Sequence, residues 1–367
     1  MLDRRQSIVG LAASLALGAC FIAGCATQGE DATPEKGFAT SADIKTGFGA
    51  AGSTFVAPIM TNWISSYKQT QPGTLISYRP IGSSAGLGEL RQGTLSLAAS
   101  DAPLSDDQIS KMFAVVQVPV TAGPVCAIYN VPGVSSPLRF SASTLAGIFL
   151  GNIISWQDAA IERDNPGVKL PRAAIIVVHR TDGSGTTNIF TGYLTKVNPE
   201  WAKGPGQGLS VSWPVGIGAE GSKGVVEFIK KNPGTIGFAE LSYAKEDKLP
   251  VASIQNRAGS FVAPSSASTT AAIEAFGDAL AKDVRTPIYD PPASAKDAYP
   301  VAGLSFLILA KDGTDGDVRK AIKDFIQYAV TTGQDSAESL DYAKLPKSLQ
   351  QQDLSLLGGL TTAQNTK

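Results

Sequence analysis

Apolar residues follow two alternating patterns along most of the chain. In stretches such as 173–178 and 301–310, nearly every residue is apolar, which is typical of a short buried strand. In others, such as 56–67 and 318–330, apolar residues recur three or four positions apart, which predicts amphipathic helices. Strands that alternate with helices in this way indicate an α/β fold.

The middle and the later part of the chain continue this alternation. Two separate strands are predicted at 115–120 and 125–129, and an Ala/Ser-rich stretch at 264–284 predicts helix. Ser105 and Gln108 have the spacing of a capping box, so we expect a helix to begin there.

The segment from His179 to Thr186 lies between an apolar run and an amphipathic stretch, and it combines glycine with hydroxyl side chains. We therefore expect a strand, a tight turn and a helix start, where unpaired N–H groups and the positive end of the helix dipole meet. Ser184 and Thr186 add hydroxyl donors, and Arg180 adds a planar cation. The pattern predicts an anion receptor, although the segment alone is also compatible with a simple turn capped by Ser184.

Three other segments have the same form, in which a strand ends in small or hydroxyl residues. They lie at 53–55, 82–84 and 100–101. In open α/β sheets, ligands bind where such strand-end loops converge. Together with 180–186, these segments predict a small, hydroxyl-lined site for an oxygen-rich ligand.

The N-terminal residues have the composition of an export signal. A basic start is followed by an apolar stretch at 8–24 and then by Cys25. We interpret 1–24 as a lipoprotein signal peptide, with Cys25 as the lipidated residue, and the polar residues 25–44 as a flexible tether. Cys20 follows similar residues and stays an alternative, as does a signal peptide without lipidation. The predicted location is periplasmic or at the cell surface, anchored to the membrane by lipid.

Charge and rare residues exclude several classes of function. The chain has 31 Lys and Arg against 32 Asp and Glu, so there is no basic excess of the kind that binds nucleic acid. His179 is the only histidine, which excludes a histidine-rich metal site and disfavours histidine-dependent catalysis. Cys126 lies in an apolar run and is expected to be a buried, inert thiol. We expect no cofactor, no metal and no catalytic residue.

Five short motifs, in their order and separations, resemble one family. They are Gly-Ser-Thr-Phe at 52–55, Gly-Ser-Ser at 82–84, Ala-Ser-Asp-Ala-Pro-Leu-Ser at 99–105, Arg-Thr-Asp-Gly-Ser-Gly-Thr at 180–186 and Gly-Thr-Ile-Gly at 234–237. From about residue 45 to about residue 350, the chain resembles the phosphate-binding proteins of bacterial high-affinity phosphate ABC importers.

The resemblance implies a fold, a ligand and partners. The fold would be the type II periplasmic-binding fold, with two α/β lobes joined by two hinge crossovers near residues 118 and 297. One lobe would comprise 45–118 and 297–367, and the other 119–296. A monomer would enclose one phosphate ion in the cleft between the lobes and deliver it to the permease subunits in the membrane.

The resemblance also implies which residues bind the ion. The implied phosphate ligands are Thr54, Phe55, Ser83, Asp101, Arg180, Ser184, Gly185 and Thr186. Asp182 would brace the guanidinium of Arg180. His179 stands where relatives often carry another basic residue. Asp101 would select the ion, because phosphate keeps a proton that a carboxylate can accept in a hydrogen bond, whereas sulfate has none.

Two local patterns suggest enzymes instead. Residues 82–86 match the Gly-x-Ser-x-Gly nucleophile elbow, so a serine hydrolase could use Ser84, Asp101 and His179 in that order. Residues 216–221 match a dinucleotide-binding fingerprint, but Trp-Pro precedes them and the pattern lies deep in the chain, so a plain turn is favoured. A third alternative keeps the receptor and changes the ligand to another oxyanion, such as molybdate or sulfate, with arsenate as a phosphate mimic.

Overall fold

The computed structural model describes residues 46–134, 136–311 and 316–360. The predicted signal peptide, the tether and the candidate lipidation residues Cys25 and Cys20 lie outside these ranges. Every helix within them is too short or too polar to span a bilayer.

Strands and helices alternate through the described ranges. The strands are β1 (Thr46–Gly52), β2 (Thr74–Arg79), β3 (Leu97–Ser100), β4 (Val115–Asn130), β5 (Arg139–Phe140), β6 (Ile176–Arg180), β7 (Ile217–Ala219), β8 (Thr235–Glu240), β9 (Ser253–Gln255), β10 (Phe261–Val262) and β11 (Ala302–Ala310). The α-helices are α1 (Ala57–Thr70), α2 (Ser83–Arg91), α3 (Asp106–Ser110), α4 (Ala142–Leu150), α5 (Ala159–Asp164), α6 (Gly185–Val197), α7 (Pro199–Lys203), α8 (Gly221–Lys231), α9 (Leu241–Glu246), α10 (Ser266–Ala275), α11 (Gly277–Lys282), α12 (Gly316–Val330) and α13 (Lys347–Gly358).

The main sheet has eight strands in the order β2-β1-β3-β11-β4-β8-β6-β7. At one end β1 pairs in parallel with β2 and β3, and at the other end β6 pairs in parallel with β7 and β8. The central strands β11 and β4 are antiparallel to each other and to their neighbours. The sheet therefore has a parallel part in each of two lobes, which confirms the predicted two-lobe α/β fold. A small sheet, β10-β9-β5, completes the second lobe.

Strand β4 corrects one prediction. The sequence predicts two strands at 115–120 and 125–129, but β4 runs without a break from Val115 to Asn130. The intervening residues stay extended because they pair with β11 up to Pro124, and from Val125 onward β4 pairs with β8. The ladder between β4 and β11 contains an irregularity between Ser305 and Phe306.

The predicted helices are largely confirmed. Helix α1 has Pro58 in its first turn, where no N–H donor is needed. Ser105 caps α3 in a complete capping box with Gln108. The predicted helical stretch 264–284 forms two helices, α10 and α11, which meet at Phe276.

Candidate functional site

Two sets of parallel strands, β1 with β3 and β6 with β7 and β8, point their carboxyl ends at one region of the molecule. The last residues of these strands are Gly52 (β1), Ser100 (β3), Arg180 (β6), Ala219 (β7) and Glu240 (β8). Thr54 and Phe55 follow β1, Asp101 follows β3, and Arg180 is the last residue of β6. Ser184 is the N-cap of α6, Gly185 and Thr186 begin that helix, and Ser83 follows β2 and starts α2. The arrangement is therefore the strand-end convergence that binds ligands in open α/β sheets.

Two hydrogen bonds join the segment at 82–84 to the segment at 180–186. The N–H of Ser84 donates to the carbonyl of Gly183 over 3.0 Å, and the N–H of Gly185 donates to Oγ of Ser83 over 3.1 Å. Because α2 lies between β2 and β3 in the chain and α6 follows β6, both bonds join the two parallel parts of the main sheet. Ser83 lies in the first turn of α2, so a helix begins directly after Gly82.

Asp101 lies against the start of α6 and is almost fully buried. A Cβ atom added to Gly185 would lie 2.4 Å from Oδ2 of Asp101, so only glycine fits at that position. Ser53 Oγ donates to Oδ2 of Asp101 and Ser305 Oγ donates to Oδ1, and each hydrogen bond is 2.5 Å long. Burial raises the pKa of Asp101 to about 6, against the opposing effects of the Ser305 and Ser53 hydroxyls and of Arg180.

The guanidinium of Arg180 is buried and held in place on two sides. Its Nε donates to Oδ1 of Asp182 over 2.7 Å, and its Nη2 donates to the other carboxylate oxygen. Its Nη1 donates to Oγ of Ser222 over 3.3 Å. Burial raises the pKa of Asp182, but Arg180 and the N–H of Gly221 outweigh that effect and hold the pKa below its usual value. Asp182 therefore fixes the guanidinium in one orientation.

The loop after β1 is fixed by tyrosines from three directions. Three consecutive carbonyl groups each accept a hydrogen bond of 2.6 Å from a tyrosine hydroxyl. The pairs are Tyr78 with Ser53, Tyr243 with Thr54, and Tyr342 with Phe55. Among these, Tyr243 belongs to α9, which follows β8, so its bond to Thr54 joins the two parallel parts of the main sheet.

Several of the predicted ligand groups bond to other protein groups. The N–H of Phe55 donates to Ser53 Oγ over 3.0 Å, and the Thr54 hydroxyl lies 2.8 Å from Ser222 Oγ. Ser184 Oγ caps α6 by accepting from the N–H of Thr187. The hydroxyl of Thr186 is buried and has no hydrogen-bond partner among the residues that the structure describes. Most of these groups are thus paired within the protein, whereas the hydroxyl of Thr186 is not.

The arrangement of Ser84, Asp101 and His179 does not support the serine hydrolase alternative. Ser84 is exposed on α2, while both oxygens of Asp101 accept from Ser53 and Ser305. The ring of His179 stacks on Trp213 with centroids 4.9 Å apart, and its Nδ1 lies 3.2 Å from the carbonyl oxygen of Arg180. Within the described ranges, no hydrogen bond connects the three residues of the suggested triad.

The glycine pattern at 216–221 is also accounted for by packing. Strand β7 lies inside the pattern, whereas a dinucleotide fingerprint needs the strand before it. Gly221 has a φ of +67° and starts α8, and its N–H donates to Asp182 over 3.0 Å. No group of three or more His, Cys, Asp or Glu side chains suited to a metal ion occurs in the part of the chain that the structure describes.

Sequence reasoning missed three serines of the site, Ser53, Ser222 and Ser305. Ser53 belongs to the Gly-Ser-Thr-Phe motif, and its position beside two predicted ligands could have drawn attention to it. Ser222 follows the last glycine of 216–221, where only a turn was expected. Ser305 carries the single hydroxyl group in the otherwise apolar strand β11. A polar residue in such a strand is the signal that could have identified it.

Comparison with known proteins places the chain in a family. A model described as the PBP superfamily domain matches residues 37–332. A phosphate-binding protein PstS from Pasteurella multocida is 38% identical over 300 residues, which cover 82% of this chain and 86% of that protein. One from Xylella fastidiosa (strain Temecula1) is 37% identical over 303 residues, which cover 82% of both chains.

Solved structures show the same fold at lower identity. A high-affinity periplasmic phosphate-binding protein, solved with phosphate bound, has a TM-score of 0.65 at 20% identity and covers 83% of this chain and 92% of its own. A phosphate-binding protein from Stenotrophomonas maltophilia also has a TM-score of 0.65, at 16% identity, and covers 85% of this chain and 94% of its own. The chain therefore belongs to the PBP superfamily and, within it, to the family of PstS phosphate-binding proteins.

Proposed function

We propose that this protein binds inorganic phosphate between its lobes and delivers it to an ABC permease for import. The observation that carries the proposal is the cluster in which a braced guanidinium, the N-terminus of α6 and a buried carboxylate meet. Arg180 and the helix dipole supply attraction for an anion. The PstS relatives, which are named for phosphate binding, support the choice of ion.

The ligand set of the proposal is the set predicted from the sequence, from Thr54 to Thr186. Phosphate would replace hydrogen bonds that these donors make with one another, such as the bond between Gly185 N–H and Ser83 Oγ. The buried hydroxyl of Thr186 would gain an acceptor that it lacks within the described chain. Binding and release need no catalytic group, cofactor or metal, because the phosphate ion is not chemically altered.

The proposal also covers the motion of the two lobes and the location of the protein. The lobes, with boundaries near residues 118 and 297, would open and close about the central strands β4 and β11. Residues 1–24 would direct export, and a lipid on Cys25 would hold the monomer beside the membrane through the tether at 25–44. The composition of the N-terminal segment supports both assignments.

Calorimetry with phosphate and with sulfate tests the proposal. At pH 8 we expect the purified protein to bind one phosphate with a dissociation constant of about 1 µM or lower. Sulfate should bind at least about 1000-fold more weakly, because it offers no proton to Asp101. If the protein does not bind phosphate, or if sulfate binds as tightly, the proposed function is wrong.

The pH should change the selectivity in one direction. Since the pKa of Asp101 is raised to about 6, the carboxylate is ionised at pH 8 and becomes protonated as the pH falls through 6. A protonated Asp101 can donate a hydrogen bond to sulfate, so sulfate affinity should rise on acidification while the preference for phosphate declines. Titrations with both anions between pH 5 and pH 8 measure this, and a preference that stays constant would contradict the role of Asp101.

The bond between Tyr243 and Thr54 should slow phosphate release. Tyr243→Phe removes a 2.6 Å hydrogen bond that crosses between the lobes, so we expect affinity to fall by about 1 kcal/mol, mostly through faster dissociation. Tyr78→Phe is the matched control, because it removes a bond of equal length within one lobe. Stopped-flow release rates compare the two, and an equal acceleration in both variants would count against the interlobe contact.

A further inference from the structure

The carboxyl group of Asp101 is held by two serines that no predicted ligand role explains. Ser53 Oγ donates to Oδ2 and Ser305 Oγ donates to Oδ1, and each hydrogen bond is 2.5 Å long. Ser53 is 1% exposed and Ser305 is fully buried, so water does not compete for either bond. Each carboxylate oxygen therefore accepts one hydroxyl proton and keeps further lone-pair capacity for another donor.

The direction of these hydrogen bonds is fixed by the surrounding backbone. Ser53 Oγ already accepts from the N–H of Phe55, and its own single proton is directed to Asp101. Ser305 lies on β11 opposite Thr121, next to the irregularity in its pairing with β4. The next residue, Phe306, pairs with Ser100, directly before Asp101. Strand β11 thus places one hydroxyl group within hydrogen-bonding distance of the Asp101 carboxylate.

Few other groups can change the charge of Asp101. The charged or titratable side chains that interact with it are Arg180, Tyr78, Tyr243 and Tyr342. Burial raises the pKa of all three tyrosines, so they stay neutral through the physiological range. The hydroxyls of Ser305 and Ser53 and the charge of Arg180 all favour the ionised form of Asp101.

We propose that Ser305, assisted by Ser53, is a positioning residue that keeps Asp101 ionised and aimed at the ligand as an acceptor. Ser305 thereby sets the pH above which the site rejects tetrahedral anions that carry no proton. This inference rests on the proposed function, since it concerns how the same site tells phosphate from sulfate. Ser305 acts through Asp101 and need not touch the ion.

The test compares Ser305→Ala and Ser305→Thr with the wild-type protein. Dissociation constants for phosphate and for sulfate are measured from pH 5 to pH 9. In Ser305→Ala, the pH at which sulfate binding appears should rise by about one unit, because one of the two hydroxyl donors to the carboxylate is lost. Sulfate affinity at pH 7 should then increase by about fivefold, because the protonated fraction of Asp101 rises from about one tenth to about one half. Ser305→Thr keeps the hydroxyl on a β-branched residue that suits a strand, so it should restore the wild-type profile.

The outcomes separate this inference from the proposed function. If the wild-type protein binds phosphate selectively and Ser305→Ala leaves the sulfate profile unchanged, the role of Ser305 is refuted while phosphate binding stands. An equal loss of both anions at every pH would indicate a structural role and would also refute it. If the wild-type protein binds no phosphate, both proposals fail. Thermal unfolding checks that Ser305→Ala folds; if it does not, Ser53→Ala carries the same expectation for the sulfate profile.

Discussion

Replacing Arg180 with alanine is expected to weaken phosphate binding by about 2–5 kcal/mol. The side chain of Arg180 is 1% exposed, so its attraction for an anion is little screened by water. The substitution also leaves Asp182 beside the site without its partner, and that uncompensated negative charge would repel phosphate. Calorimetry on the purified variant measures the loss.

Arg257→Ala is the matched control for this prediction. Arg257 forms an ion pair with the buried Asp290 but lies far along the chain from every predicted ligand. The control therefore removes an arginine and leaves its carboxylate partner, as the test variant does, without touching the cluster. Similar losses of phosphate affinity in the two variants would show that the effect of Arg180 is a general loss of stability.

Asp101→Asn is expected to reduce the preference for phosphate over sulfate by about 100-fold or more. The asparagine amide can donate a hydrogen bond to sulfate, whereas the wild-type carboxylate presents only lone pairs and a like charge to it. The change should come mainly from tighter sulfate binding. Competition between the two anions at pH 8, where wild-type Asp101 is ionised, measures the ratio.

Asp353→Asn tests whether any buried carboxylate would have this effect. Asp353 is 1% exposed on α13, and burial raises its pKa to about 8, so it is a buried carboxyl group that lies away from the predicted ligands. The anion preference of this control should equal that of the wild-type protein. An unchanged preference in Asp101→Asn itself would remove Asp101 as the selector.

The loops of the site were predictable because each carries its own local signal. Glycine beside a hydroxyl residue at the end of an apolar run indicates a strand that gives way to a helix start, as at Ser83 and Ser184. The convergence of these loops follows from the parallel strands, whose carboxyl ends lie at the same edge of each lobe. The sequence therefore predicted both the individual strand-end loops and their convergence at one site.

The residues that were missed depend on pairing between distant parts of the chain. Ser305 reaches Asp101 only because β11 lies antiparallel beside β3, and nothing within 301–310 indicates that neighbour. The tyrosine hydroxyls that fix the loop after β1 come from positions up to 287 residues away along the chain. The continuous course of β4 has the same origin, because its middle residues are held extended by β11.

A crystal structure of the protein with phosphate tests the central claim most directly. We expect tetrahedral density enclosed between the lobes, with oxygens within hydrogen-bonding distance of Arg180, Ser83, Thr54 and the N-terminus of α6, and one oxygen facing Asp101. Phosphate bound elsewhere, with this cluster still bonded only to itself, would contradict the account.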